Sequence, residues 1–71
     1  MLNPIALRMA REARGLKPSQ AADRAQVSRA YWLNLEAGRK HGPSGDVLVR
    51  LAEAVGVTVE SIVTRRDVIA S

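Results

Sequence analysis

Eight of the eleven Lys and Arg residues of this 71-residue chain fall within residues 1–41, at positions 8, 11, 14, 17, 24, 29, 39 and 40. The same stretch holds three acids, Glu12, Asp23 and Glu36. Residues 42–71 carry three basic and four acidic residues, and the whole chain has a net charge of +4. Guanidinium and ammonium groups gathered in one half suit a polyanion-binding face, with a support or partner face in the other. An ordinary solvated surface would show the same charges, so charge alone does not decide. Groups able to do covalent or metal chemistry are scarce. The chain has no Cys and one histidine, His41. Neither a disulfide nor a zinc set can be assembled from these. No pair of carboxylates suggests acid–base catalysis, so no enzyme activity and no cofactor are expected.

The elements that must position the basic groups read as helices. Seventy-one residues suffice for one domain and are too few for two. A core this small is modest and only marginally stable. It must be built from Ala, Val, Leu and Ile with Trp32 as its large member, since Phe is absent. No apolar run approaches the roughly 20 residues needed to cross a membrane. The N-terminus shows no charged-then-apolar signal pattern, and the basic residues form no stripe opposite a broad apolar face. A soluble, cytoplasmic protein is expected, with no membrane partner.

Asn3-Pro4 opens a first helix as N-cap and N1. Leu7, Ala10 and Arg14 are expected near one face of it, and Gly15 as its C′ residue. Lys17-Pro18-Ser19 begins a second helix whose small apolar side is Ala21, Ala22 and Ala25. Val27 anchors a tight turn. Ser28 caps a third helix running to about Ala37, ended by Gly38. Trp32 and Leu35 face its core, and Arg29, Ala30, Leu33 and Asn34 the opposite side. Arg39-Lys40-His41-Gly42-Pro43 is a basic loop. Ser44 starts a fourth helix with Asp46 in its first turn and Val47, Leu48, Leu51 and Val55 at helical spacing. Thr58 is expected to cap a fifth helix, with Val57 and Ile62 placed for a hydrophobic staple. The segment from Thr64 to Ser71 is ambiguous.

The second and third helices are joined by about three residues, Gln26 to Ser28. A pair joined so tightly cannot fold back antiparallel and must cross steeply. Such a unit can present the start of its second helix to the major groove of DNA. An ordered set of residues carries this further. It comprises Leu7 and Arg11, Gly15-Leu16, Ala22, Val27-Ser28-Arg29, Tyr31, Leu35-Glu36, Gly38 and Pro43-Ser44. It ends with Leu51-Ala52, Ala54-Val55-Gly56-Val57-Thr58 and Ile62-Val63. Across residues 7–63 the chain resembles the Cro/phage-repressor type of helix-turn-helix, also called the xenobiotic-response-element type.

That resemblance implies an all-α, compact five-helix, lambda-repressor-like domain, which with the helix reading above occupies residues 1–64; residues 65–71 form a C-terminal tail whose apolar pair Val68-Ile69, in the near-neutral half, is a candidate dimer contact. The resemblance implies binding to double-stranded operator DNA, near-palindromic, by a homodimer that assembles on its own or only on DNA. By the same resemblance Arg29, Ala30, Leu33 and Asn34 match positions that meet base edges. Ser19, Gln20, Ser28, Tyr31, Arg39 and Lys40 match the regions that meet phosphate, and Arg11 and Glu36 match a buried ion pair tying the first helix to the third. The chemistry of the residues agrees. Arg29 can reach guanine O6 and N7 with two hydrogen bonds, and Asn34 adenine N6 and N7. Leu33, an odd apolar residue on an outward face, suits a thymine methyl; a helix-packing or dimer contact is its other reading. Arg39 and Lys40 suit phosphate, which supplies affinity without sequence choice. Tyr31 either donates to a phosphate or packs beside the second helix.

The chain departs from the family pattern in three places. Pro18 stands where a Gln often binds phosphate, so that contact is lost or moves to Ser19 or Gln20. Gln26 stands where the turn usually has Gly, and a positive φ there would strain it by roughly 1 kcal/mol. Ala21 and Ala25 are small where Leu is common, and Trp32 is large where Ile or Leu is common. The exchange conserves core volume, so Trp32 is expected in the core. The resulting reading is a transcriptional regulator like a phage Cro or compact repressor. An antitoxin-type autoregulator and a protein-interaction module on the same fold are the alternatives.

Overall fold

A computed structural model describes residues 1–40 and 43–63. Four α-helices follow one another: α1 Pro4–Ala13, α2 Pro18–Ala25, α3 Arg29–Glu36 and α4 Gly45–Val55. A single 3-10 turn, Val59–Ile62, completes them.

Short side chains set the helix starts. Asn3 Oδ1 accepts from the backbone N–H groups of Ile5 and Ala6 at 3.1 and 3.2 Å. Ser28 Oγ accepts from Tyr31 N–H at 3.0 Å and Ser44 Oγ from Val47 N–H at 3.3 Å. These are donors that a helix leaves without an internal partner. α2 starts differently. Gln20 Oε1 reaches back to the N–H of Lys17 at 2.9 Å. Lys17 has no acceptor to return the bond, so only half of a capping box forms.

The core is built from Leu2, Leu7, Ala21, Ala22, Ala25, Trp32, Leu35, Leu51, Ala52, Ala54, Val55 and Ile62. α2 packs on both α3 and α4, and α1 closes the other side against α3, α4 and the 3-10 turn. Three alanines, Ala21, Ala22 and Ala25, form the buried face of α2, and short side chains let neighbouring helices come close. The fully buried Trp32 of α3 lies in the core as expected, in one buried cluster with Ala21 and Ala25.

Two expectations are corrected. The fifth helix is one 3-10 turn of four residues, and the Thr58 side chain does not cap it. Instead Ser61 Oγ donates to the Thr58 carbonyl at 2.6 Å. Val63 is already extended, at φ −119 and ψ 153, and pairs antiparallel with Leu2. That pairing draws the chain out before an α-turn can propagate, so the described residues hold four α-helices and not five. On α1 the inward residues are Leu7 and Arg11; Arg14 is exposed, at the C-cap.

Candidate nucleic-acid interface

The turn between α2 and α3 decides how α3 is presented. Gln26 adopts the left-handed conformation, φ 61 and ψ 40, and ends α2 with its N–H on the carbonyls of Ala22 and Asp23. The neighbouring Val27 is half-buried against the core. Arg50 on α4 donates from Nε to the carbonyl of Ala25 at 3.1 Å. The last turn of α2 is thereby tied to α4 just where the chain swings towards α3.

From its buried side α3 is held by Trp32 and Leu35, both without exposed surface. A hydrogen-bonded cluster fixes its far end. Arg11 Nε donates to Glu36 Oε2 at 2.6 Å, and a second guanidinium nitrogen reaches Glu36 Oε1 at 3.2 Å. Trp32 Nε1 donates to the same Oε2 at 2.5 Å. Arg11 also donates to the Leu16 carbonyl at 2.7 Å. The Arg11 and Glu36 side chains are about nine-tenths buried, at 10% and 9% exposure. The hydrogen bond to Glu36 raises the Arg11 pKa above its ordinary value, with a further push from the charges of Glu36 and Glu12, against burial, which works the other way.

Held this way, α3 turns Arg29 and Ala30 outward, with Leu33 at 38% exposure and Asn34 half-buried. Ser28 is exposed at the N-cap, where its hydroxyl hydrogen remains available as a donor. Ser19 and Gln20 are exposed at the start of α2. The Gln20 carbonyl oxygen is engaged in the half capping box, which leaves its amide N–H groups as donors. Tyr31 is half-buried and packed on the core. Arg39 and Lys40 are exposed beyond Gly38, and the Arg39 N–H bonds the Asn34 carbonyl at 2.9 Å, so the basic loop leaves directly from the end of α3. Among the described residues the ion pairs engage Arg8 and Arg11, while Arg29, Arg39 and Lys40 have none. His41, Gly42 and the tail 65–71, with its expected dimer contact, lie outside the described residues. No described helix is long and apolar enough to cross a membrane.

Sequence reasoning missed two of these ties. The Arg50 bond to Ala25 leaves no mark in sequence beyond a cation on the flank of the apolar stripe of α4. The Trp32–Glu36 bond had a signal, since residues four apart share a helix face.

Comparison with known proteins gives the same unit. A family model described as a helix-turn-helix domain matches residues 5–63. Two crystal structures of the clp gene regulator ClgR from Corynebacterium glutamicum are similar at 33% identity. One has a TM-score of 0.75 over 80% of this chain, which spans 60% of that protein. The other has a TM-score of 0.73 over 80% of this chain and 73% of the ClgR chain. The restriction-modification controller protein C.AhdI from Aeromonas hydrophila is similar at 26% identity, with a TM-score of 0.76 over 82% of this chain and 86% of its own. No curated protein sequence matches significantly. A turn pinned by Gln26 and Arg50, an outward α3, and a family match spanning nearly every described element lead to one assignment: this chain belongs to the helix-turn-helix domain family.

Proposed function

We propose that this protein is a sequence-specific double-stranded-DNA-binding regulator of transcription, of the compact repressor type, acting in the cytoplasm on nucleoid DNA. α3 enters the major groove. Arg29, Ala30, Leu33 and Asn34 meet base edges, and Ser19, Gln20, Ser28, Tyr31, Arg39 and Lys40 meet phosphates. The observation that carries the reading is the outer face of α3. It sets Arg29, with no ion pair among the described residues, beside Leu33 and Asn34 on a helix anchored by fully buried Trp32 and Leu35. Hydrogen-bond donors on a rigid helix are what base-edge readout requires. Similarity to a clp gene regulator and a restriction-modification controller supports gene control as the role.

A near-palindromic operator bound by a homodimer fits the reading, with the two recognition helices about 34 Å apart, one turn of DNA. Selection of bound sites from a random duplex library tests it. A short, near-palindromic consensus is the expected result. Recovery of unrelated sequences, bound equally well, would remove the claim of sequence-specific regulation.

A further inference from the structure

Leu33 is a costly residue to leave outward. Among the described residues of α3 it is the large apolar side chain open to solvent, at 38%. It lies four residues after Arg29, so the two share one helix face with Cβ atoms about 5–6 Å apart. Ala30 beside them is exposed and adds only a methyl, so its side chain does not screen Leu33 from a surface laid against the helix. A guanidinium next to an isobutyl group matches two neighbouring features of the major groove. One is the O6/N7 acceptor pair of guanine; the other is the 5-methyl group of a pyrimidine. Successive bases of one strand are about 3.4 Å apart, so the long Arg29 side chain and the shorter Leu33 can serve adjacent bases.

Resting on the operator reading above, we infer that α3 recognises a 5-methylpyrimidine and an adjacent guanine on one strand. Arg29 hydrogen-bonds the guanine, and Leu33, with Ala30 alongside, covers the methyl group. What is read at that position is the methyl itself. Uracil in place of thymine loses the contact, and 5-methylcytosine keeps what cytosine lacks. A site carrying cytosine at this step is therefore bound more tightly when that cytosine is methylated.

The test uses the duplex obtained by selection and the whole chain. Each thymine is replaced in turn by uracil, and affinities are compared by titration. At one position uracil should weaken binding about fourfold, the factor that burying one methyl group gives. At that position 5-methylcytosine should bind more tightly than cytosine by a similar factor. Leu33→Ala should bind the thymine and uracil duplexes alike while still preferring guanine at the adjacent base. Leu33 lies outside the core, and the uracil exchange leaves the protein untouched, so folding does not confound the comparison. Equal binding of thymine and uracil duplexes at every position, or a thymine preference that survives in Leu33→Ala, overturns the inference and leaves operator binding standing. Absence of any preference among duplexes overturns both.

Discussion

Arg50 of α4 donates its Nε–H to the carbonyl of Ala25, the last residue of α2, at 3.1 Å. Ala25 itself has no exposed surface. The bond satisfies a carbonyl at the end of α2 and holds the left-handed Gln26 and the start of α3 in register with α4.

Arg50→Ala should therefore lower stability and loosen the turn. Hydrogen bonds to charged groups contribute about 1.5–3 kcal/mol. For a domain of this size that corresponds to a melting point lower by roughly 4–8 °C per kcal/mol. Thermal unfolding followed by circular dichroism measures it. Arg50→Lys should recover part of the loss. A wild-type melting point for Arg50→Ala would show that the bond contributes nothing.

Arg11→Ala leaves Glu36 with Trp32 as its remaining donor, in a site that excludes most water. Breaking a buried pair from one side costs about 3–5 kcal/mol, a large part of the stability of so small a domain. The variant should be partly unfolded at room temperature. Trp32 fluorescence, blue-shifted in the native core and red-shifted on exposure, gives a direct readout alongside urea titration. A native spectrum and an unchanged urea midpoint would place little energy in the pair.

Gln26 carries a left-handed backbone at φ 61. That conformation costs an ordinary residue about 1–2 kcal/mol. Glycine there gives back about 0.4–1 kcal/mol through the greater freedom of the unfolded chain. Gln26→Gly should thus raise the melting point by a few degrees, and Gln26→Val should lower it. A drop for the glycine variant would mean that the Gln26 side chain stabilises the turn by more than its backbone strains it.

Reading bases and holding phosphates separate by salt and sequence. Arg29→Ala should cost about 1–3 kcal/mol on the selected site and relax choice at one or two base pairs. Its effect on scrambled DNA should be smaller. Lys40→Ala should weaken all sequences alike and flatten the log–log salt dependence by about one unit. Titrations of both variants on cognate and scrambled duplexes at several salt concentrations make the comparison. Equal losses on both duplexes for Arg29→Ala would reassign Arg29 to phosphate.

Local signals made most of the fold legible. Asn3, Ser28 and Ser44 act as caps because their side chains reach donors two or three residues away, and sequence displays such short-range geometry directly. The same holds for the inward pair Trp32 and Leu35, whereas the left-handed turn at Gln26 was legible through the resemblance, which puts Gly there. What stayed hidden was long-range. The 3-10 turn replaces a fifth helix because Val63 pairs with Leu2, at the other end of the described chain. Arg50 and Ala25 lie 25 residues apart. On α1 the apolar pattern grouped Arg14 with Leu7 and Ala10, and only the family resemblance pointed to Arg11, which is the buried one because Glu36 receives it. For the candidate interface, residue types and helix spacing set out the outward face of α3 and the resemblance supplied the Arg11–Glu36 tie, while the Trp32–Glu36 and Arg50–Ala25 bonds needed the folded chain.

The antiparallel pairing of Leu2 with Val63, backed by the Asn3 N–H on the Ile62 carbonyl at 2.8 Å, fastens the two ends of the described chain together. Closing so long a loop repays its entropy only after the helices between have packed. The seam is thus a late event in folding and, by the same token, an early one in local opening. In hydrogen exchange the Asn3 amide should lose protection well before that of Trp32. The described chain can then breathe at this seam while the outward-facing α3 stays shut.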